Sequence, residues 1–278
     1  MAQQTKQNTA RPALPGILAL GTALVLMVAL MISLSTGRPA PTEPETTTAP
    51  TLAPNPYGPA DFTYNEAGYL TCSAGNAVLG IDVSEFQQEI DWEQVKNAGI
   101  EYVMIRIGWR GQETGRIVED SMAQANYAGA KAAGLKIGAY FFSQAITEQE
   151  AVAEAEFAMN AIRRWKLDMP LVYDWEYVGA DARTGSMDPR LLTDCTKAFC
   201  DTVALGGYEP MIYFNSYQAE HLLYLEELTE YPFWLAMYTD QMDYPYAVDM
   251  WQYSCTGAVP GVPTDVDLNL WFPEFPKN

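Results

Sequence analysis

Histidine is almost absent from this chain, which has one (His221) in 278 residues, and cysteine is scarce at four. With no Cys-x-x-Cys pair and no second imidazole, the ligand set that holds zinc is missing. Nothing resembles a calcium loop either, so no metal and no cofactor are expected. Cations are few: 16 Lys and Arg stand against 35 Asp and Glu, a net charge of −19. That balance excludes nucleic acid as a partner, because phosphate binding needs clustered positive charge. No Gly-rich phosphate loop follows the first long strand, which argues against a doubly wound nucleotide-binding sheet. Cys72, Cys195, Cys200 and Cys255 allow three full pairings or none. Cys195 and Cys200 fall on one apparent helix at an offset that points them apart.

Charge is also missing from a whole segment. Residues 12–37 carry no ionisable side chain, and 17–34 are dominated by Leu, Ala, Val, Met and Ile, with Lys6 and Arg11 ahead of them. Such a run reaches across a bilayer as a helix, and the preceding cations favour a cytoplasmic N-terminus. The reading is a cytoplasmic stretch 1–11 and a transmembrane anchor 12–36. A cleaved signal peptide is the alternative; its apolar core is usually shorter, and no Ala-x-Ala site follows Leu34 directly. Both put the remainder outside the cytoplasm. Residues 37–60, rich in Pro and Thr, read as an extended spacer, and 61–278 as the folded domain.

The chain as a whole is 49% hydrophobic and 12% aromatic, and in this domain apolar runs alternate with helical patterns. A hairpin over 61–72 leads into strands at 78–83, 102–107, 136–142, 169–173 and 210–214. Helices are expected between them: one capped by Asp91 and stopped by Gly99, one over 121–133, one capped by Thr147 with Glu150 completing a capping box and running to about Trp165, and one from Pro189 to Leu205. Three further short strands, 233–237, 249–253 and 266–270, follow without long helices. Eight strands, the first five joined by helices, predict a closed α/β barrel with an irregular last third.

Met169 to Tyr177 is the most informative stretch. An apolar strand ends in Asp174-Trp175-Glu176, and strand alternation aims both acids one way and the Trp the other. Two residues along a strand span roughly 6.5–7 Å. A neighbouring pair of carboxyls, one protonated and one charged, suits glycosidic bond cleavage. Active sites of such barrels lie at the C-terminal ends of the strands. Those positions hold Asp82, Tyr140, Phe142, Asp174, Glu176, Tyr213, Asn215, Trp234, Tyr238, Trp251, Gln252, Asp265 and Asp267: acids for chemistry and flat rings for sugar faces.

The runs Gly80-Ile-Asp-Val-Ser-Glu-Phe-Gln87, Ile90-Asp-Trp92, Met104-Ile-Arg106, Gly138-Ala-Tyr-Phe-Phe-Ser143, Leu171-Val-Tyr-Asp-Trp-Glu176, Pro210-Met-Ile-Tyr213, Trp234-Leu-Ala-Met-Tyr238, Trp251-Gln-Tyr253 and Val266-Asp-Leu-Asn269 resemble glycoside hydrolase family 25, the Chalaropsis-type lysozymes or N-acetylmuramidases. The resemblance implies an irregular TIM-like (β/α)5(β)3 barrel that cuts the β-1,4 bond between N-acetylmuramic acid and N-acetylglucosamine in peptidoglycan. Where many members carry an aromatic-His pair on the third strand, this chain has Tyr140-Phe141. By resemblance Glu176 is the general acid/base, and Asp174 either orients the substrate's 2-acetamido group or attacks directly. Asp82 and Asp267 are similar to the family's supporting acids; from their rim positions Tyr140, Tyr213, Trp234, Tyr238 and Gln252 are expected to bind sugar, and Arg106 reads as an internal counter-charge rather than a ligand. Two other readings stand beside this one: a wall-binding module without turnover, and a metal-dependent enzyme using the same acids.

Overall fold

The computed structural model describes residues 51–273, which belong to one compact unit. The anchor 12–36 and the spacer up to residue 50 lie outside the described residues; among those described, no helix is long and apolar enough to cross a membrane. Residues 51–60, assigned to the spacer from their composition, are packed on the domain. Pro54 bridges Tyr246, Asn55 Nδ2 donates to the Tyr244 carbonyl, and the Tyr57 ring stacks on Phe272 at 4.8 Å. Leu52 and Tyr57 supply apolar surface that the Pro/Thr-rich stretch before them lacks.

A hairpin of β1 (Phe62–Tyr64) and β2 (Leu70–Cys72) precedes the barrel. The eight barrel strands are β3 (Val78–Val83), β4 (Tyr102–Arg110), β6 (Lys136–Ser143), β7 (Leu171–Trp175), β8 (Pro210–Asn215), β9 (Phe233–Ala236), β10 (Met250–Gly257) and β11 (Val266–Trp271). A short strand, β5 (Ile117–Glu119), folds back on β4. The helices are α1 (Trp92–Asn97), α2 (Ala123–Ala132), α3 (Glu148–Ile162), α4 (Pro189–Leu205) and the brief α5 (Ser216–His221). Pairing of β3 with both β4 and β11 closes the sheet.

Seven barrel strands run parallel, and β11 is antiparallel to both neighbours. The segment between β10 and β11 is too short for a crossover, so the chain must turn straight back. This reversal puts the start of β11, with Asp267, at the rim where the other strands end.

Caps follow the local sequence. The Asp91 carboxylate accepts from Gln94 N at 3.1 Å, Asp188 accepts from Arg190 N, and Thr147 Oγ1 accepts from Glu150 N at 3.2 Å. Gly99, at φ 94°, ends the turn after α1 in a conformation that favours glycine. The expected capping box at Thr147 is altered: Glu150 Oε2 accepts from Ile146 N. Helix α3 stops at Ile162, short of Trp165, whose ring stacks on Tyr127 at 4.4 Å.

Strand alternation divides two layers of packing. Ile81, Val103, Ile105, Ala139, Phe141, Tyr173, Trp175, Ile212 and Phe214 face the helices. Tyr102, Met104, Tyr140, Val172, Met211, Tyr213, Trp234 and Met250 fill the barrel. A Cβ at Gly80 would overlap the Tyr102 ring, so glycine there lets tyrosine plug the barrel. All four cysteines are free thiols, Cys195 and Cys200 buried on α4.

Candidate active site

At the rim where β3, β4 and β6 to β10 end, a pocket of about 200 Å³ is lined by Asp82, Asp174, Glu176 and Asp267 among fourteen residues. Asp174 sits on β7 with its side chain in the barrel layer, and Glu176 follows directly beyond the strand end. Trp175 between them is buried on the helix side, as alternation requires. Backbone spacing alone suggests a gap between the two acids, but their side chains converge and share a hydrogen bond.

Behind the acids runs a chain of amides and hydroxyls. Tyr213 and Tyr238 donate their hydroxyls to Gln252 Oε1 at 2.9 and 3.0 Å. Gln252 Nε2 and Asn269 Nδ2 both donate to Asp82 Oδ2 at 2.8 Å, and Trp234 Nε1 donates to Asn269 Oδ1 at 2.9 Å. Each amide is oriented from its oxygen end, so both nitrogens are aimed at Asp82. The result is a carboxylate held by two donors on the pocket floor.

Burial and mutual repulsion decide the charge state. Desolvation pushes Asp82 up to about 6 despite its two donors. Desolvation, then the charges of Asp82 and Glu176, lift Asp267 to about 8. Asp174 is driven well above the usual carboxylate range by burial, then by Glu176 and Asp82, with Arg106 opposing. Glu176 is raised by burial and by Asp82. Four acids in one cleft cannot all ionise near neutrality, so the cluster retains protons, and those protons belong to the coupled group as a whole.

Arg106 stands in the wall with its charge already engaged. Its Nε donates to Asp120 Oδ2 at 2.8 Å, Nη2 lies 3.5 Å from Glu85, and the guanidinium packs 4.9 Å from the Phe86 and Trp109 ring centres. The counter-charge expected from the sequence is therefore paired and stacked in place.

The five residues singled out for sugar contact, Tyr140, Tyr213, Trp234, Tyr238 and Gln252, all line this pocket. They are not equally presented. Trp234 is 1% exposed, packed edge-on against Tyr140 and Tyr213, and so forms floor; Tyr238 is 57% exposed and offers its ring to the opening. Three other rim positions lie elsewhere. Trp251 faces away and donates to the Met237 carbonyl, Asn215 caps α5, and Asp265 is exposed outside the lining. The pocket also takes in Ser84, Phe86 and Gln87 from the turn after β3, which strand-end reading does not reach. Phe86, an exposed ring in an otherwise polar turn, was the available signal.

Comparison with known proteins agrees with this geometry. Residues 81–262 match the glycosyl hydrolases family 25. The chain is 29% identical over 194 residues to the autolytic lysozyme of Clostridium acetobutylicum, covering 68% of this chain and 54% of that one. It is 28% identical over 208 residues to lysozyme M1 of Streptomyces globisporus, covering 70% and 67%. Its fold is similar to that of the modular autolysin LytC of Streptococcus pneumoniae, solved with a synthetic peptidoglycan ligand, at a TM-score of 0.63, 24% identity and coverage of 76% and 50%. The chain thus spans about half the length of the first relative and of that autolysin. Since the matched span opens on the first barrel strand and continues unbroken past β10, the barrel itself carries the likeness, and this chain belongs to glycosyl hydrolases family 25.

Proposed function

We propose that this protein hydrolyses peptidoglycan at the β-1,4 bond between N-acetylmuramic acid and N-acetylglucosamine. The observation that carries the reading is the Asp174–Glu176 pair: a buried and a half-buried carboxyl, hydrogen-bonded to each other, in an acid-lined pocket on a family 25 barrel. Carboxyls this close leave no room for a water between them, which fits retention of anomeric configuration.

The pair starts with a shared proton. Asp174 Oδ1 is buried without a hydrogen-bond partner. A substrate acetamido N–H donating there favours the Asp174 carboxylate and leaves the proton on Glu176. Glu176 gives that proton to the leaving O4 as the C1–O4 bond breaks. The acetamido oxygen closes on C1, and the cationic ring that results is balanced by Asp174. Glu176, now a carboxylate, takes a proton from water as the water's oxygen bonds C1 and the ring reopens. The unpartnered Asp174 Oδ1, free to accept an acetamido N–H, supports assistance by the substrate over direct attack by Asp174.

Purified peptidoglycan digested with the chain should yield new reducing ends that mass spectrometry identifies as muramic acid. New glucosamine reducing ends would overturn the bond assignment, and no products would favour a wall-binding module.

For location, the reading remains a membrane anchor at 12–36, a spacer beyond it and a barrel outside the cytoplasm, supported by the uncharged run and the cations before it. Intact mass of the mature protein should include residues 1–36. A start between 36 and 60 would make it a secreted enzyme.

A further inference from the structure

Glu176 projects from backbone that the sheet no longer holds. β7 ends at Trp175, which still pairs with Ser143 of β6 but has no partner on β8, and Glu176 has none on either strand. The carbonyl of each is taken by a buried glutamine from a flanking strand end. Gln144, directly after β6, donates Nε2 to the Glu176 carbonyl at 2.8 Å and to the Ser143 carbonyl at 2.8 Å. Gln218, in α5 after β8, donates Nε2 to the Trp175 carbonyl.

Both amides are fixed from their oxygen ends by unrelated partners. Gln144 Oε1 accepts from Thr184 Oγ1 at 2.7 Å, and Gln218 Oε1 accepts from Asn215 N at 2.9 Å within the α5 capping box. Neither side chain can flip without losing two contacts. The loop that follows Glu176 is tied to the same point, since Arg183 donates Nη1 to the Gln144 carbonyl at 2.8 Å and Nη2 to Glu150 Oε1 at 2.7 Å. Gln144 and Gln218 are 0% and 1% exposed, and neither lines the pocket.

We propose that Gln144 and Gln218 are positioning residues that continue the β ladder past its end with side-chain amides and thereby aim the Glu176 carboxyl into the cleft. The proposal rests on Glu176 being the acid. It follows that loosening either amide lets the carboxyl swing towards water. There its burial and the repulsion from Asp82, which keep it protonated, are relieved.

The test measures kcat, KM, the pH profile and the melting temperature of Gln144→Met and Gln218→Met on soluble peptidoglycan fragments, with Glu176→Gln alongside. Methionine keeps length and removes the donors. Turnover should fall roughly 10- to 100-fold, as for a small misplacement of a reacting group. KM should stay within about twofold, the signature of a loss confined to the transition state. The descending limb of the pH profile should move to lower pH. Folded variants with wild-type turnover, or with reduced turnover and unmoved limbs, would overturn the proposal. If Gln144→Met does not fold, Thr184→Val, which frees only the Gln144 oxygen, decides: the same limb should move down by less, and an unmoved limb counts against the proposal. Turnover surviving in Glu176→Gln would remove the acid assignment, and this proposal with it, by a separate readout.

Discussion

Asp267 lies directly opposite Asp82 in the antiparallel ladder between β11 and β3. Both side chains reach the same pocket, so two carboxyls face one another across a single pair of strands with Glu176 nearby. A fold selected for stability alone would not place them there, because each raises the free energy of ionising the other.

That arrangement sets a pH dependence of stability. Burial raises Asp82 to about 6, and burial with the charges of Asp82 and Glu176 raises Asp267 to about 8, from an ordinary value of 3.8. Between the unfolded and folded values the native state binds more protons than the unfolded chain, so stability falls as pH rises through this window. The melting temperature should therefore drop between pH 5 and about 8, counter to the usual behaviour of paired carboxylates. Asp267→Asn should flatten that drop, and a slope identical to wild type would contradict the assignment.

Gln252 accepts from the hydroxyls of Tyr213 and Tyr238 and donates to the Asp82 carboxylate, which Asn269 also holds. Gln252→Leu leaves the buried Tyr213 hydroxyl without its acceptor and takes one of two donors from Asp82. Each unsatisfied buried group costs about 1–3 kcal/mol. Chemical denaturation should show a loss of that order, with weaker sugar binding because the Tyr238 ring loses its tether. A neutral effect on both would mean that water replaces the amide.

The alternation on β7, the caps at Asp91 and Thr147, the helix start at Pro189 and the glycine stop at Gly99 were legible because each depends on residues within a few positions. Asp267 was reached through the family resemblance; reading strand C-terminal ends does not account for it, because it stands at the start of a reversed strand. Strand β5 and helix α5 passed unread because three or six residues give no periodicity. The roles of Gln144, Gln218 and Asn269 were not legible at all. An amide's function depends on partners such as Glu176, Trp175 and Asp82, up to 187 residues away, and nothing local marks it. Ring exposure was hidden for the same reason: Trp234 and Tyr238 read alike in sequence, yet one is floor and the other is open.

Glu176→Gln keeps the side chain's shape and its place beside Asp174 while removing the transferable proton. Loss of general-acid help costs on the order of 10²–10⁴ in rate. The variant should fold, since removing one acid from a repelling cluster relieves strain on the rest, and it should bind glycan fragments as wild type does. Turnover measured by release of reducing ends decides the matter, and activity near wild type would rule the assignment out.

Asp174 separates the two ways an intermediate can form. If the substrate's acetamido oxygen attacks C1, Asp174 only accepts the acetamido N–H at its free Oδ1 and balances the charge. If Asp174 attacks directly, its oxygen becomes an ester, and the two carboxyls should stand about 5–5.5 Å apart. Here they are within hydrogen-bond reach of each other, closer than that spacing. Asp174→Asn keeps a polar group at the acetamido site but loses the balancing charge, so turnover should fall by about 10²-fold or more while sugar binding persists. A thiazoline mimic of the cyclised intermediate should inhibit the wild type strongly and the variant less. A glycosyl ester trapped on Asp174 by mass spectrometry would decide for direct attack.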